Sequence, residues 1–148
     1  MAGDSAAGPE EIAGACDFDP NKPNAARIYD YLLGGKDNFA ADRQAAAQLV
    51  RALPDAALAA KANRAFLAAA VRYVAGCGIG QYVDIGAGLP TSPNVHQCAQ
   101  AAVPGARVAY IDNDPVVVAH ARALLATDPL VTVISKDARE YGALLDGP

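Results

Sequence analysis

The chain has 148 residues, and twelve Lys plus Arg against sixteen Asp plus Glu give a formal net charge of -4. With 53% hydrophobic and 19% charged residues it can build a core, which excludes a disordered tail, and its length favours one domain. The acidic balance argues against a general nucleic-acid binder, because such a protein shows a basic face or stripe.

Cys16, Cys77 and Cys98 include no pair with CxxC spacing. Their odd number disfavours a disulfide framework or a zinc site and fits a reducing cytoplasm. The N-terminus has no basic patch followed by an apolar stretch, and no run of about 18 uninterrupted apolar residues occurs. We therefore expect a cytoplasmic protein that holds no metal and does not act at a membrane.

The N-terminal part predicts a flexible segment over residues 1–20, followed by a helical region over 21–80. Its first helix spans 25–33 and ends at a glycine pair. The second helix spans 37–53 and is ended by a proline.

A third helix is predicted over 55–75. Its apolar stripe predicts the face that packs on the rest of the protein. The stripe consists of Leu58, Ala62, Ala65, Phe66, Ala69 and Tyr73, and the opposite side carries Lys61, Arg64 and Arg72.

Residues 81–148 alternate between short β-prone runs and helical runs, which predicts parallel strands joined by helical crossovers. The strands are expected at 81–85, 107–111 and 131–135, and the helices at 92–103, 114–126 and 138–145. The fold class is therefore α/β, with a parallel sheet of which about three strands are present.

An acidic residue stands at or just after the end of each predicted strand, and a glycine turn follows the first strand. Asp84 precedes Gly86 and Gly88, Asp112 ends the second strand, and Asp137 follows the third. Ligands of open α/β sheets bind at the carboxyl ends of the strands. The position of Asp112 is that of a carboxylate that accepts from both hydroxyls of a ribose, and Asp137 could accept from an adenine amino group.

The glycine turn discriminates between two nucleoside ligands. A dinucleotide fingerprint needs a third glycine, and Thr91 stands in its place after Pro90. S-adenosylmethionine fits better, with its ammonium group near Asp84 and its carboxylate near exposed backbone amides. The alternative is that the three aspartates are ordinary polar caps on strand ends.

Four further residues have structural explanations that compete with functional ones. His96 and His120 are expected to be solvated or satisfied helix histidines. Arg27 and Arg64 could each pair only with a nearby carboxylate.

Several runs resemble one known family over about residues 23–139. These are Ala26–Asp42 (ARIYDYLLGGKDNFAAD), Ala62–Phe66, Asp84–Thr91 with Asn94–His96, and Tyr110–Pro115. They are similar to the bacterial S-adenosyl methyltransferase family, formerly a domain of unknown function. The resemblance implies a Rossmann-like class I methyltransferase fold with S-adenosylmethionine as cofactor, and it implies no substrate and no catalytic residue.

The resemblance also implies which residues hold the cofactor. Gly86 and Gly88 would line it, and the loop from Gly34 to Asn38 would close over the methionine end. Together with the residues argued from the strand ends, the candidates are Asp84, Gly86, Gly88, Asp112, Asn113, Asp137, Ala138, Gly35, Lys36 and Asn38.

The chain departs from the family in strand number, because such a fold has a sheet of about seven strands. Without a fourth strand the first one is an exposed, apolar edge. We therefore expect a fragment, a truncated gene product, or a half that pairs with a complementing chain or as a homo-oligomer.

The leading functional hypothesis is methyl transfer from S-adenosylmethionine to an unidentified small-molecule acceptor, since the acidic composition disfavours nucleic acid. One alternative is an NAD-dependent oxidoreductase that uses the same ribose carboxylate. The other is a truncated, non-catalytic half-domain that only binds the cofactor or a partner chain.

Overall fold

The structure is a computed structural model that describes residues 18–140 and Gly142. Over residues 18–140 five helices and three strands follow one another in the predicted order. They are α1 (Ala25–Leu33), α2 (Ala40–Ala52), α3 (Ala56–Gly76), β1 (Gln81–Ile85), α4 (Val95–Gln100), β2 (Arg107–Asp112), α5 (Pro115–Leu124) and β3 (Val131–Ser135).

Two predicted segments fall largely outside the described residues. Residues 1–17 of the expected flexible segment are not described, whereas the ring of Phe18 lies 5.2 Å from that of Phe39. Most of the helix expected over 138–145 is also outside, and its first three residues are not helical in the structure.

Helix ends follow local side-chain chemistry. The side chain of Asn24 accepts from the N–H of Ala26 and begins α1, which ends at Gly34 in the left-handed region with φ 86°. Asp114 accepts from the first N–H groups of α5, with Pro115 at the first helical position.

The predicted start of α4 is wrong. The helix was expected from residue 92, but its N-cap is Asn94, and the Gln97 side chain accepts from the N–H of Asn94 at 2.7 Å. Gln97 is the third residue of the helix, and its side chain satisfies the backbone N–H of the N-cap Asn94. This favours a helix that begins at Val95.

The sheet is parallel, with the strand order β1-β2-β3. Asp84 is in register with Tyr110, and Asp112 with Ser135. In the described part of the chain β1 pairs with β2 alone. This arrangement confirms the predicted α/β class and brings the carboxyl ends of the three strands to one edge.

The core lies between the helices and one face of the sheet. Val108 and Tyr110 of β2 pack there with residues of α3, α4 and α5. On the first strand Val83 and Ile85 stay 63% and 57% exposed, so the other face of β1 is uncovered in the described structure.

The predicted buried face of α3 is also wrong. Leu58, Phe66 and Tyr73 are 67%, 71% and 75% exposed. The buried residues of the helix are Ala60, Ala68, Val71 and Ala75. Alanines occur on both sides of α3, and the face with small side chains can pack closely on its neighbours. The apolar pattern is dominated by the larger residues, so it indicated their face instead of the buried one.

Candidate functional site

A pocket of about 540 Å³ opens where the carboxyl ends of β1 and β2 meet α1 and α3. Its size is within the ~300–1,000 Å³ typical of small-molecule sites. The lining residues are Asn24, Ala25, Ala26, Tyr29, Asn63, Arg64, Leu67, Asp84, Gly86, Ala87, Asp112, Asn113 and Asp114.

The floor of the pocket includes the glycine turn after β1. Gly86 and Gly88 both have φ of 68°, a backbone conformation that disfavours side chains. The N–H of Gly86 donates to the carbonyl of Ile111 at 2.8 Å, which anchors the turn on β2. A Cβ atom at Gly86 would meet no atom within 4 Å, so backbone conformation and not crowding requires glycine there.

Asp112 fastens the turn to the end of β2. One carboxylate oxygen accepts from the N–H of Gly88 at 2.9 Å, and the other accepts from the N–H of Asp114 at 2.9 Å. A carboxylate has about four acceptor positions, so each oxygen retains capacity for a further donor such as a hydroxyl group.

Asp84 lies in the same pocket as a partly buried carboxylate. Burial raises the pKa of Asp84; Arg64 opposes that rise, and the negative charge of Asp112 adds to it. Two carboxylates in one pocket disfavour a further negative charge and favour a cationic ligand group.

α1 and α3 supply the wall opposite the strands. The hydroxyl of Tyr29 donates to the carbonyl of Ala60 and accepts from the side-chain amide of Asn63, each at 3.0 Å. Arg64 donates through Nη2 to the carbonyls of Thr91 at 2.6 Å and Pro93 at 3.0 Å.

A buried ion pair holds the helical region on the strand ends. Arg27 donates through Nε to Asp42 at 2.9 Å and through Nη1 to Asp114 at 3.3 Å. Arg27 is 3% and Asp42 0% exposed. Since Asp114 also caps α5 and lines the pocket, this pair connects α1 and α2 to the residues after Asp112.

Asp137 and Ala138 do not line the pocket. The carboxylate of Asp137 pairs with Arg139 and accepts from the side chain of Asn113 at 3.3 Å. The hydrogen bonds from Arg139 hold its pKa far below the ordinary value. Asn113 therefore links the pocket to the end of β3, while a contact of Asp137 with a ligand stays a prediction.

Gly35, Lys36 and Asn38 lie away from this pocket. Asp30 is buried and accepts from the N–H of Asp37 and from the side chain of Asn38. A Cβ atom at Gly35 would stand 1.9 Å from Asp30 Oδ1, so close approach requires glycine here.

Lys36 and Asn38 instead line a separate cavity of about 270 Å³ beside α5. The Nε2 atom of His120 lies 3.9 Å from Asp37 on the same side of the molecule. A role of this loop at the methionine end of a cofactor stays a prediction.

His96 is a buried, satisfied histidine. Its backbone N–H donates to the hydroxyl of Tyr110 at 3.0 Å, and its ring atom Nδ1 lies 2.9 Å from the same hydroxyl. Burial lowers the pKa of His96 and raises that of Tyr110 to about 12. The pair is part of the core under the site and does not line the pocket.

Comparison with known proteins decides the family. The sequence model of the S-adenosyl methyltransferase family matches residues 12–148. The chain belongs to the S-adenosyl methyltransferase family. The resemblance predicted from the sequence motifs is thereby confirmed.

Two solved structures support the same assignment for this S-adenosyl methyltransferase family member. One is a candidate methyltransferase from Thermobifida fusca, 48% identical, with a TM-score of 0.84 over 90% of this chain and 50% of the other. The second is a DUF574 family protein from Streptomyces avermitilis, 41% identical, with a TM-score of 0.81 over 88% of this chain and 51% of the other. The chain spans about half the length of these relatives. No functionally curated protein matches it.

The likeness to these structures confirms the Rossmann-like fold.

None of the helices described is both long and apolar enough to cross a membrane.

The pocket contains four of the ten predicted cofactor residues and several that were not predicted. Asp84, Gly86, Asp112 and Asn113 line it, and Gly88 bonds to Asp112. The unpredicted polar residues from the helical region are Asn24, Tyr29, Asn63 and Arg64. Tyr29, Asn63 and Arg64 lie in the runs 26–42 and 62–66 that carry the family resemblance, whereas Asn24 lies outside them.

Proposed function

We propose that this chain forms the S-adenosylmethionine site of a methyltransferase that acts on a small-molecule acceptor. The observation that carries the proposal is the shared pocket of Asp84 and Asp112 beside the glycine turn. Family membership supports the choice of this cofactor over other adenosyl ligands.

The donor set of the pocket fits the parts of this cofactor. The free acceptor positions of Asp112 suit the two hydroxyls of a ribose. The space beside Gly86, where a Cβ atom would meet no atom within 4 Å, leaves room for a ligand next to the backbone. Asp84 suits an ammonium group. The bound cofactor would supply the activated methyl group, so the protein needs to align the acceptor and exclude water.

The charge of the pocket disfavours a nicotinamide dinucleotide. Among the described residues, Asp84, Asp112 and Asp114 line it together with one cation, Arg64. A pyrophosphate would add negative charge to a site that already holds more acidic than basic groups, whereas a sulfonium and an ammonium would add positive charge.

The uncovered side of β1 favours a second candidate, a cofactor-binding half that needs a further chain or a second copy for catalysis. Val83 and Ile85 are exposed there, and the solved relatives are about twice as long. In this case the chain would bind the cofactor and show no turnover alone.

A cytoplasmic location stays a prediction.

Calorimetric titration of the chain with S-adenosylhomocysteine and, separately, with NADH tests the proposal. We expect saturable binding of S-adenosylhomocysteine and none of NADH at the same concentrations. Binding of NADH alone would transfer the site to the oxidoreductase class, and binding of neither would remove the assignment.

A further inference from the structure

Arg27 is a buried cation at the point where α1 and α2 meet the segment that follows β2. Its Nε donates to Asp42 at 2.9 Å, its Nη1 to Asp114 at 3.3 Å, and its Nη2 to the carbonyl of Lys22 at 2.8 Å. Two aromatic rings lie against the guanidinium group with centroids 5.2 and 5.5 Å from its carbon atom, those of Phe18 and Phe39. Partners on all three nitrogens fix the planar group in one position, and its donors therefore fix their acceptors.

Asp114 connects this fixed group to the backbone beside the pocket. Its Oδ2 accepts from Arg27, and its Oδ1 accepts from the N–H groups of Val116 at 2.8 Å and Val117 at 3.1 Å. The backbone N–H of Asp114 donates to Oδ1 of Asp112 at 2.9 Å. The side chain is thus held between a cation and the start of α5, and its own backbone N–H is held against the Asp112 carboxylate.

The orientation of the Asp112 carboxylate depends on these backbone donors. Rotation about the last side-chain bond of an aspartate is soft, because that torsion has broad minima. The N–H of Gly88 bonds to one oxygen and the N–H of Asp114 to the other, and together they define the plane of the carboxylate. A carboxylate that accepts from two neighbouring hydroxyls needs such a fixed plane, since both oxygens must face the ligand.

We propose that Arg27 is a positioning residue for the ribose of the ligand. Through Asp114 it fixes the plane of the Asp112 carboxylate, and this plane sets the preference of the site for intact ribose hydroxyls. The inference rests on the proposed function and deepens it, because Arg27 is not among the described residues that line the pocket.

The test uses two ligands that differ in one ribose hydroxyl, S-adenosylhomocysteine and its 2′-deoxyribose analogue. Calorimetry gives both dissociation constants for the natural chain and for Asp114→Ser. Serine keeps an acceptor for the start of α5 but is too short to reach Arg27, and the buried pair of Arg27 with Asp42 stays intact.

We expect the natural chain to prefer S-adenosylhomocysteine by roughly 10- to 100-fold, the range of a hydrogen bond to a charged group. Asp114→Ser should reduce that preference by roughly 3- to 10-fold, because the carboxylate of Asp112 stays in place but loses its fixed plane. A role of Arg27 and Asp114 that is only structural predicts instead that both ligands weaken by the same factor.

Asp128→Ser is the matched control, because Asp128 is bonded in the same way at a distance from the site. Its Oδ1 accepts from the N–H of Leu130 at 2.8 Å, its Oδ2 accepts from the side chain of Gln100 at 2.9 Å, and it does not line the pocket. The substitution cuts a comparable link between side chains. It should leave the ratio of the two dissociation constants unchanged.

The amide signal of Gly88 in the ligand-free, ¹⁵N-labelled chain gives an independent readout, because this N–H bonds to the other oxygen of Asp112. Asp114→Ser should shift the signal, and Asp128→Ser should leave it in place. Equal weakening of the two ligands by Asp114→Ser, or an unmoved Gly88 signal, would overturn the inference and leave Arg27 as a link between helices and sheet.

Arg27→Lys decides the question if Asp114→Ser does not fold. A lysine keeps a cation beside Asp42 but lacks the forked group that also reaches Asp114, so the preference should fall by a similar factor. Equal affinity of the natural chain for the two ligands would overturn the inference and leave the proposed cofactor site intact. Binding of neither ligand would overturn the proposed function together with the inference.

Discussion

The carboxylate of Asp112 accepts a hydrogen bond from the N–H of Gly88 at 2.9 Å, which joins the end of β2 to the turn after β1. The same carboxylate also accepts from the N–H of Asp114. One side chain thus shapes the site and, in our proposal, binds the ribose hydroxyls.

We expect Asp112→Asn to weaken S-adenosylhomocysteine binding by roughly 10- to 100-fold, since a hydroxyl pair loses a charged acceptor. Loss of one of the two backbone acceptors should also cost about 1 kcal/mol of unfolding free energy. Calorimetry and chemical denaturation measure the two effects. Asp55→Asn is the control, because Asp55 is exposed and lies outside the pocket. Unchanged affinity in a folded Asp112→Asn chain would remove Asp112 from the site.

Asp84→Asn should separate stability from binding. The pKa of Asp84 is raised in the folded chain, chiefly by burial, so its contribution favours folding at low pH and is lost as pH rises through the raised folded pKa. At pH 7 the variant, which carries no charge there, should therefore be slightly more stable than the natural chain. It should also bind S-adenosylmethionine more weakly, because the ammonium group loses its counter-charge.

Denaturation of both chains at pH 7, together with calorimetry, measures these opposite changes. A less stable variant, or one with unaltered affinity, would contradict the assignment of Asp84 as a ligand-binding carboxylate held at a cost to the fold.

Gly86→Ala tests the backbone of the turn. The position has φ of 68°, and a left-handed conformation costs a residue with a Cβ atom about 1–2 kcal/mol. No atom stands within 4 Å of the added methyl group, so we expect the loss to be of this size and the chain to fold. Gly105→Ala is the matched control, because its Cβ would also meet nothing and its φ lies outside the left-handed region. Equal unfolding free energies of the two variants would contradict the strained turn.

Arg27→Met tests the link between the helical region and the strand ends. The change leaves the fully buried carboxylate of Asp42 without its cation, which should cost about 3–5 kcal/mol of unfolding free energy. Replacement of a surface arginine, Arg51→Met, should change stability little. A loss below about 1 kcal/mol would show that the pair does not hold the two parts together.

Acid should weaken the same link. Burial raises the pKa of Asp42, but hydrogen bonds from the N–H groups of Phe39 and Asn24 and the nearby Arg27 lower it below its ordinary 3.8 overall. Its stabilisation is therefore complete above that ordinary value and is lost as pH falls through the lowered folded pKa. Denaturation midpoints measured from pH 7 down to about pH 2 follow the decline, which falls below pH 3.8, and Arg27→Met should show a smaller one.

Local signals were sufficient for most of the fold. The bounds of α1, β1 and β3 agree with the prediction because turn residues and side-chain caps mark them. The wrong start of α4 reflects a competition between two neighbouring capping residues, which the return bond from Gln97 decides in favour of Asn94. The buried face of α3 depends on which neighbours approach it, and a helix with alanines on both sides does not encode that choice.

The strand-end rule predicted that Asp84, Gly86 and Asp112 lie together, and they line one pocket because the carboxyl ends of adjacent parallel strands must meet. The wall formed by Tyr29 and Arg64 could not be deduced in this way. Those residues come from helices whose packing against the sheet depends on contacts between distant segments. The pairing of Asp137 with its neighbour Arg139 is likewise a matter of side-chain orientation, which the sequence pattern does not determine.

The most direct test of the cofactor site is to map amide chemical shifts of the ¹⁵N-labelled chain during titration with S-adenosylhomocysteine. We expect the largest shifts at Gly86, Ala87, Gly88 and Asn113, saturating with one ligand per chain. Absence of shifts at saturating ligand, or shifts confined to the separate cavity at Lys36 and Asn38, would contradict an adenosyl site between the ends of β1 and β2.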